Sequence, residues 1–336
     1  MRLAAPLLAL ALTATAAQAA TKEEVIADVV DHHILPGYHA LTLETAALDA
    51  AARADCDPQS APLRTAYGSA FDAWIRVSHL RFGPAEAENR AFALAFWPDT
   101  RGATPKALAG LVATEDPAVD APATFATISI AARGFYALER LLYGEIGADA
   151  PAYRCRLLRA ITADIAATSA AIEADWRESH ADLMRHPAPD GPYRDDDEVL
   201  RVFYTALTTG LQTTADTRLG RPLGTFDKPR PTRAEAYRSG RSLRHVVLTL
   251  EALADLAHRL AALAPDEQGK IDAAFARDIA RAQGLDDPTL AGVADPGARI
   301  RIEALKQGID DTRELVGGEI APALGIAAGF NALDGD

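Results

Sequence analysis

Residues 131–144, AARGFYALERLLYG, read as the second half of a long apolar helix, and the rest of the chain is organised around it. Phe135, Leu138, Leu141 and Leu142 recur at helical spacing, and Gly144 suits a helix end. Tyr136 and Glu139 stand three residues apart, so they share a helix face and their oxygens are expected to converge on one point. A carboxylate in such apolar company needs a partner or a ligand. Arg81, Arg101 and Arg133 are the candidates to satisfy the pair.

Outward from this stretch the helical period continues almost throughout. Apolar positions in residues 21–55 follow it, with an interruption expected at Pro36. Helices are expected from 60 to 81, stopped by Gly83-Pro84, then over 85–95, from 104, over 120–143 and over 152–179. HPAPDGPY at 186–193 reads as a linker. Four acids, Asp195-Asp196-Asp197-Glu198, open the next helix, where they complement its dipole. It runs to about Arg218, a loop rich in Pro and Gly covers 219–231, and helices follow near 232–263, 265–283 and 295–316. No run alternates with period two. The expected fold class is all-α, two packed helical-bundle subdomains, at 20–185 and 195–336 with a linker at 186–194. A chain of this length exceeds what one core serves, which agrees with two subdomains.

Residues 1–19 read as a signal peptide: Arg2 supplies the charge, LAAPLLALALTATA the apolar run, and Ala17-Gln18-Ala19 the cleavage site. No later segment approaches the ~18 uncharged apolar residues of a membrane span. The expected location is the periplasm. Hydrophobic residues make up 49% of the chain, and the formal charge of −13 argues against nucleic-acid partners. The two cysteines, Cys56 and Cys155, suggest one disulfide in an oxidising compartment, with two buried thiols as the alternative.

Gly134, Tyr136 and Glu139 form G-x-Y-x-x-E, which resembles the GxHxxE signature of the imelysin family with tyrosine in the histidine's place. The resemblance runs in order through VVDHHILPGYHAL (29–41), HLRFGP (79–84), AFWPDTRG (95–102), YRCRLLRAI (153–161), TADTRLGRPLG (214–224) and YRSGRSLRHVVLTLEAL (237–253). It implies an imelysin-like domain over about 25–320 and an all-helical, two-bundle architecture. It also implies a periplasmic or surface protein of a family described as metallopeptidases and linked to iron uptake, with a site between the two halves. Family members often carry an acid just before the Arg-Phe-Gly-Pro run, where this chain has Ser78 and His79.

These positions give a candidate ligand-binding set of Gly134, Tyr136, Glu139, His79, Arg81 and Arg101, with Tyr136, Glu139 and His79 as candidate ligands of an iron or other metal ion. A phenolate suits ferric iron, whereas zinc prefers imidazole, thiolate and carboxylate. Asp28, His32, His33 and His39 could also attract a divalent metal, but the reading preferred for them is a solvated face with Asp28–His32 as a weak pair. Residues 218–244 carry Arg218, Arg221, Lys228, Arg230, Arg233, Arg238, Arg241 and Arg244 against only Asp227 and Glu235. Such arginines suit an anionic ligand, for example a carboxylate-rich metal chelate or an acidic polysaccharide. The preferred reading has them tie the long loop to acidic helix ends such as residues 195–198.

The chain lacks H-E-x-x-H, G-x-S-x-G and Walker A motifs. The expected function is a binding or accessory component of iron or other metal uptake, working with envelope iron-uptake proteins. A metallopeptidase and a structural or interaction protein are the alternatives.

Overall fold

Capping fixes where the chain first turns helical. Thr21 accepts from the Glu24 amide at 3.2 Å while the Glu24 carboxylate accepts from the Thr21 amide at 2.8 Å, a reciprocal box that opens α1 (Lys22–Val29). The computed structural model describes residues 19–326; the signal-peptide reading of residues 1–19 lies outside the described residues, Ala19 excepted.

A π-turn over Val30–Ile34 joins α1 to α2 (Leu35–Ala54). Its wider loop ends two residues before Pro36, which cannot donate back to the preceding turn, so the irregularity lies just upstream of the expected site. Then come α3 (Ala61–Val77), α4 (Arg90–Leu94), α5 (Ala103–Thr114), α6 (Pro122–Phe125) and α7 (Gly134–Tyr143). α8 (Pro151–Asp175) continues through a second π-turn, Trp176–His180, into α9 (Ala181–Arg185). The Asp195 carboxylate accepts from the Glu198 amide at 2.9 Å and starts α10 (Asp196–Gln212), as its acids predict. A third π-turn, Thr213–Leu219, leads into α11 (Gly220–Leu223). α12 (Ser242–Leu260), α13 (Pro265–Gln283) and α14 (Pro296–Ala323) complete the fold, and no strand occurs among the described residues.

α2, α3, α7 and α8 pack as one bundle, and α10, α12, α13 and α14 as another. α3 lies against α12, and α1 crosses over to pack on α10 and α12. The buried apolar side chains are therefore continuous from Val25 to Ile326. Cys56 and Cys155 form a disulfide that ties the end of α2 to the first turn of α8, with Cα atoms 5.3 Å apart. No described helix is long and apolar enough to cross a membrane.

Besides the expected 85–95 helix, which is α-helical only over Arg90–Leu94 because Glu88 and Asn89 take positive φ and leave 3-10 turns before it, two expected helices are shorter than their periodicity suggests. The 120–143 stretch is broken into a 3-10 turn, α6, a second 3-10 turn (Ile130–Ala132) and then α7. Gly134 is the reason. Its φ is +74°, and a Cβ there would lie 2.2 Å from the Leu94 carbonyl oxygen and 2.3 Å from that of Ala93. The end of α4 thus rests directly on the first residue of α7, and only glycine permits that approach. Gly134→Ala is expected to lower stability by about 1–3 kcal/mol, measurable by urea denaturation; a loss below ~0.5 kcal/mol would mean α4 does not press on α7. The second is the expected 232–263 helix, which begins only at Ser242. Residues 234–241 instead bend, with positive φ at Ala236 (+47°) and Gly240 (+69°).

Candidate functional site

α7 presents its apolar stripe to the core, so Tyr136 and Glu139 face the bent 234–241 segment; they are only 8% and 3% exposed. Their oxygens do not converge. The Tyr136 hydroxyl donates to Oε1 of Glu235. Glu139 Oε1 accepts from the backbone N–H of Ser239 at 2.9 Å, and the Ser239 hydroxyl lies 2.8 Å away. Two groups three apart on α7 are thus met by two residues four apart on one loop.

Glu235 is the hub. Its Oε2 accepts from Arg218 Nε at 2.7 Å, and His245 Nδ1 lies 3.1 Å away, close enough for charge attraction but without hydrogen-bond geometry. Burial alone would raise the Glu235 carboxyl; the Arg218 charge, His245 and the Tyr136 hydrogen bond outweigh it and hold the group well below the usual carboxylate range. Burial and the Glu235 charge push the Tyr136 phenol well above its ordinary value. The phenol therefore stays protonated.

Trp97 stacks on Tyr136, with ring centroids 6.2 Å apart, and divides the space above α7 in two. On one side an outer cleft of about 200 Å³ is lined by Trp97, Asp99, Tyr136, Glu139, Arg140, Arg221, Arg233 and Arg238. Asp99 is spent on the amides of Ala103 and Thr104, both at 2.9 Å, where it caps α5. Among the described residues, none of the four arginines has a carboxylate oxygen within 4.0 Å. Arg221 Nε is buried without a partner. Burial and then the neighbouring Arg238 push Arg140 below its ordinary value, and burial and then Arg233 do the same to Arg221.

On the other side an inner cavity of about 110 Å³ is lined by His79, Arg81, Trp97, Tyr136, Arg218, Glu235 and Thr249 among others. His79 Nε2 lies 2.9 Å from His33 Nε2, and His33 Nδ1 lies 2.6 Å from Asp255 Oδ2.

Of the candidate set, Tyr136 and Glu139 line the outer cleft, Tyr136, His79 and Arg81 line the inner cavity, and Gly134 sits beneath as the contact with α4. The expected arginine partners are elsewhere: Arg81 pairs with Glu86 at 2.5 Å and Arg133 with Asp164 at 2.7 Å, while the Arg101 amide closes a turn on Asp99. A metal shared by Tyr136, Glu139 and His79 does not fit this arrangement. Tyr136 gives its hydrogen to Glu235, Glu139 takes two donors from Ser239, and His79 is joined to His33. No group of three or more His, Cys, Asp or Glu able to hold a metal occurs among the described residues.

Asp28–His32 is the exposed pair expected, at 2.9 Å. His39 pairs with Glu173, while His33 is turned inward by the π-turn, which the solvated-face reading missed. In the 218–244 stretch, Arg241 and Arg244 clamp onto Asp72 rather than onto residues 195–198, which engage Lys22 and Arg194. Sequence reasoning also missed Glu235, Ser239 and His245. The available signal for Glu235 was its position as one of two acids in that arginine-rich stretch.

A family model described as imelysin matches residues 34–316. A crystal structure of an imelysin-like protein from Psychrobacter arcticum 273-4 superposes with a TM-score of 0.77, at 20% identity over 92% of this chain and 97% of that one. An iron-regulated protein A precursor from Parabacteroides distasonis ATCC 8503 superposes with a TM-score of 0.73, at 13% identity over 89% and 95%. No curated protein sequence matches the chain.

Proposed function

Because the chain belongs to the imelysin family, we propose that it is a periplasmic binding protein of metal acquisition, which holds an anionic, carboxylate-rich metal chelate in the outer cleft. The observation that carries this reading is the group of four arginines, Arg140, Arg221, Arg233 and Arg238, gathered without carboxylate partners in a protein of net charge −13. Like charges crowded in a partly buried cleft repel one another, and a polyanion relieves that repulsion through charge-assisted, forked hydrogen bonds. The local positive field also draws such a ligand in against the overall negative charge. Trp97 supplies a flat floor, with the Arg221 guanidinium 5.9 Å from its ring centroid. The iron-regulated description of the Parabacteroides protein favours a metal chelate over other polyanions. The A-x-A cleavage site and the disulfide favour export.

A peptidase would need three protein ligands around a metal-bound water. The commitments of Tyr136, Glu139 and His79 supply no such set.

Calorimetric titration of the mature protein with citrate, ferric citrate and unchelated Fe³⁺ tests the reading. Citrate is expected to bind with or without iron. Arg221→Gln combined with Arg238→Gln should weaken it at least tenfold, about 1.4 kcal/mol, and flatten its salt dependence. Absence of citrate binding by the unmodified protein would sink the proposal. So would a phenolate-to-iron band that Tyr136→Phe abolishes, because iron would then sit on the phenol itself.

A further inference from the structure

Two carboxylates line the outer cleft, Asp99 and Glu139, and they are engaged differently. Both Asp99 oxygens accept backbone amides, Oδ1 from Ala103 and Oδ2 from Thr104, each at 2.9 Å. Glu139 meets Ser239 through one oxygen only: the backbone N–H donates to Oε1 at 2.9 Å, and the hydroxyl oxygen lies 2.8 Å from the same atom. Its Oε2 has no hydrogen-bond partner among the described residues, and no lysine, arginine or histidine nitrogen lies within 4.0 Å of it. Unlike Arg221 Nε, that oxygen is not shut off from solvent.

Glu139 is almost wholly buried, and an acceptor left without a donor in such a place is costly. Its surroundings sharpen the point. Arg140 follows Glu139 on α7, Arg238 precedes Ser239 on the bend, and both arginines line the cleft. The contact between Glu139 and Ser239 therefore joins the two segments that carry these cations, and Oε2 opens on the space they border. A carboxylate accepts and does not donate. Ligand carboxylates seated on the arginines would bring further negative oxygens against Oε2. A ligand escapes that repulsion by turning a hydrogen toward it.

We propose that the outer cleft selects polycarboxylates carrying a hydroxyl or ammonium hydrogen beside their carboxylates, and that Oε2 of Glu139 is the acceptor for that hydrogen. The inference rests on the chelate reading of this cleft and narrows its ligand class. The arginines attract any polyanion, whereas Glu139 discriminates among them. Ser239 is the positioning residue: by holding Oε1 it keeps the carboxylate from swinging onto a neighbouring guanidinium and leaves Oε2 to the ligand. A group placed to bond a ligand hydroxyl rejects the analogue that lacks it, because the acceptor is then left unpaired.

The test is calorimetric titration of the full mature chain at pH 7.5, without metal, with citrate and separately with propane-1,2,3-tricarboxylate. The second acid has the same three carboxylates but a hydrogen in place of the hydroxyl. Citrate is expected to bind at least tenfold more tightly, about 1.4 kcal/mol. In Glu139→Gln the amide oxygen still serves Ser239 and the amide N–H groups face the ligand. The variant should therefore bind the tricarboxylate more tightly than the unmodified protein does, and the preference for citrate should disappear. Equal binding of the two acids by the unmodified protein would overturn the inference and leave the chelate reading standing. So would a preference that survives in Glu139→Gln. Binding of neither acid would overturn both. The first comparison uses no variant, so it decides even where Glu139→Gln fails to fold.

Discussion

Glu235→Gln is expected to lower the unfolding free energy by about 3–5 kcal/mol, because it strands a buried guanidinium. Arg218 is 7% exposed and its Nε donates to Glu235, so glutamine leaves it a neutral acceptor where a charge stood. The same change removes the charged acceptor of the Tyr136 hydroxyl. Urea denaturation followed by circular dichroism reads the loss, with an unchanged slope expected if both states keep their extent. Pairing Glu235→Gln with Arg218→Met should cost less than Glu235→Gln alone, because no buried charge then remains unpaired. A single-variant loss under ~1 kcal/mol would mean that water reaches Arg218 and the hub is not sealed.

The pH dependence has a fixed sign. The folded carboxyl of Glu235 titrates below its unfolded counterpart, so its contribution is full above the unfolded pKa and disappears as pH falls toward the folded one. Stability of the unmodified protein should therefore fall through the acid range, from about pH 5 downward, more steeply than that of the Glu235→Gln variant.

The second large effect is expected from the disulfide. Cys56 and Cys155 are separated by 99 positions, and opening a loop that long should destabilise by about 4–5 kcal/mol on the chain-entropy account. Cys56→Ala with Cys155→Ala is the cleaner measurement, since no thiol is then left to react. The bond joins α2 to α8, which also pack against each other directly, so the reduced fold should persist at lower stability. If the double variant loses less than ~1 kcal/mol, the unfolded chain already keeps these ends together.

The helical fold was legible because its signal is local: apolar residues at 3.6 spacing, Pro near helix starts, and acids at 195–198. The break before α7 was not. Gly134 looks like an ordinary helix interior until the α4 carbonyls are placed against it, and nothing within residues 131–144 encodes them. The site was half legible for the same reason. Tyr136 and Glu139 could be singled out as polar groups on an apolar face, but their partners lie 99 and 100 positions away. An arginine partner was a reasonable expectation for Glu139; a serine amide and hydroxyl on a bent loop serve instead, and no spacing rule anticipates them. The arginine-rich stretch was visible, yet its division into clamps (Arg241, Arg244) and cleft walls (Arg221, Arg233, Arg238) depends on which way each turn faces.

The three π-turns bear on how such a protein diverges. Each is a helix carrying one residue more than its regular winding accommodates. They fall at Val30–Ile34, Trp176–His180 and Thr213–Leu219, and they hold His33, His180 and Arg218. Loss of a single codon within one of them would restore regular winding and rotate everything on one side by about 100°. His33 or Arg218 would then leave the interior with its own codon untouched. In descendants of this chain, the side chains that line the interior can therefore change through the length of a helix rather than through its letters.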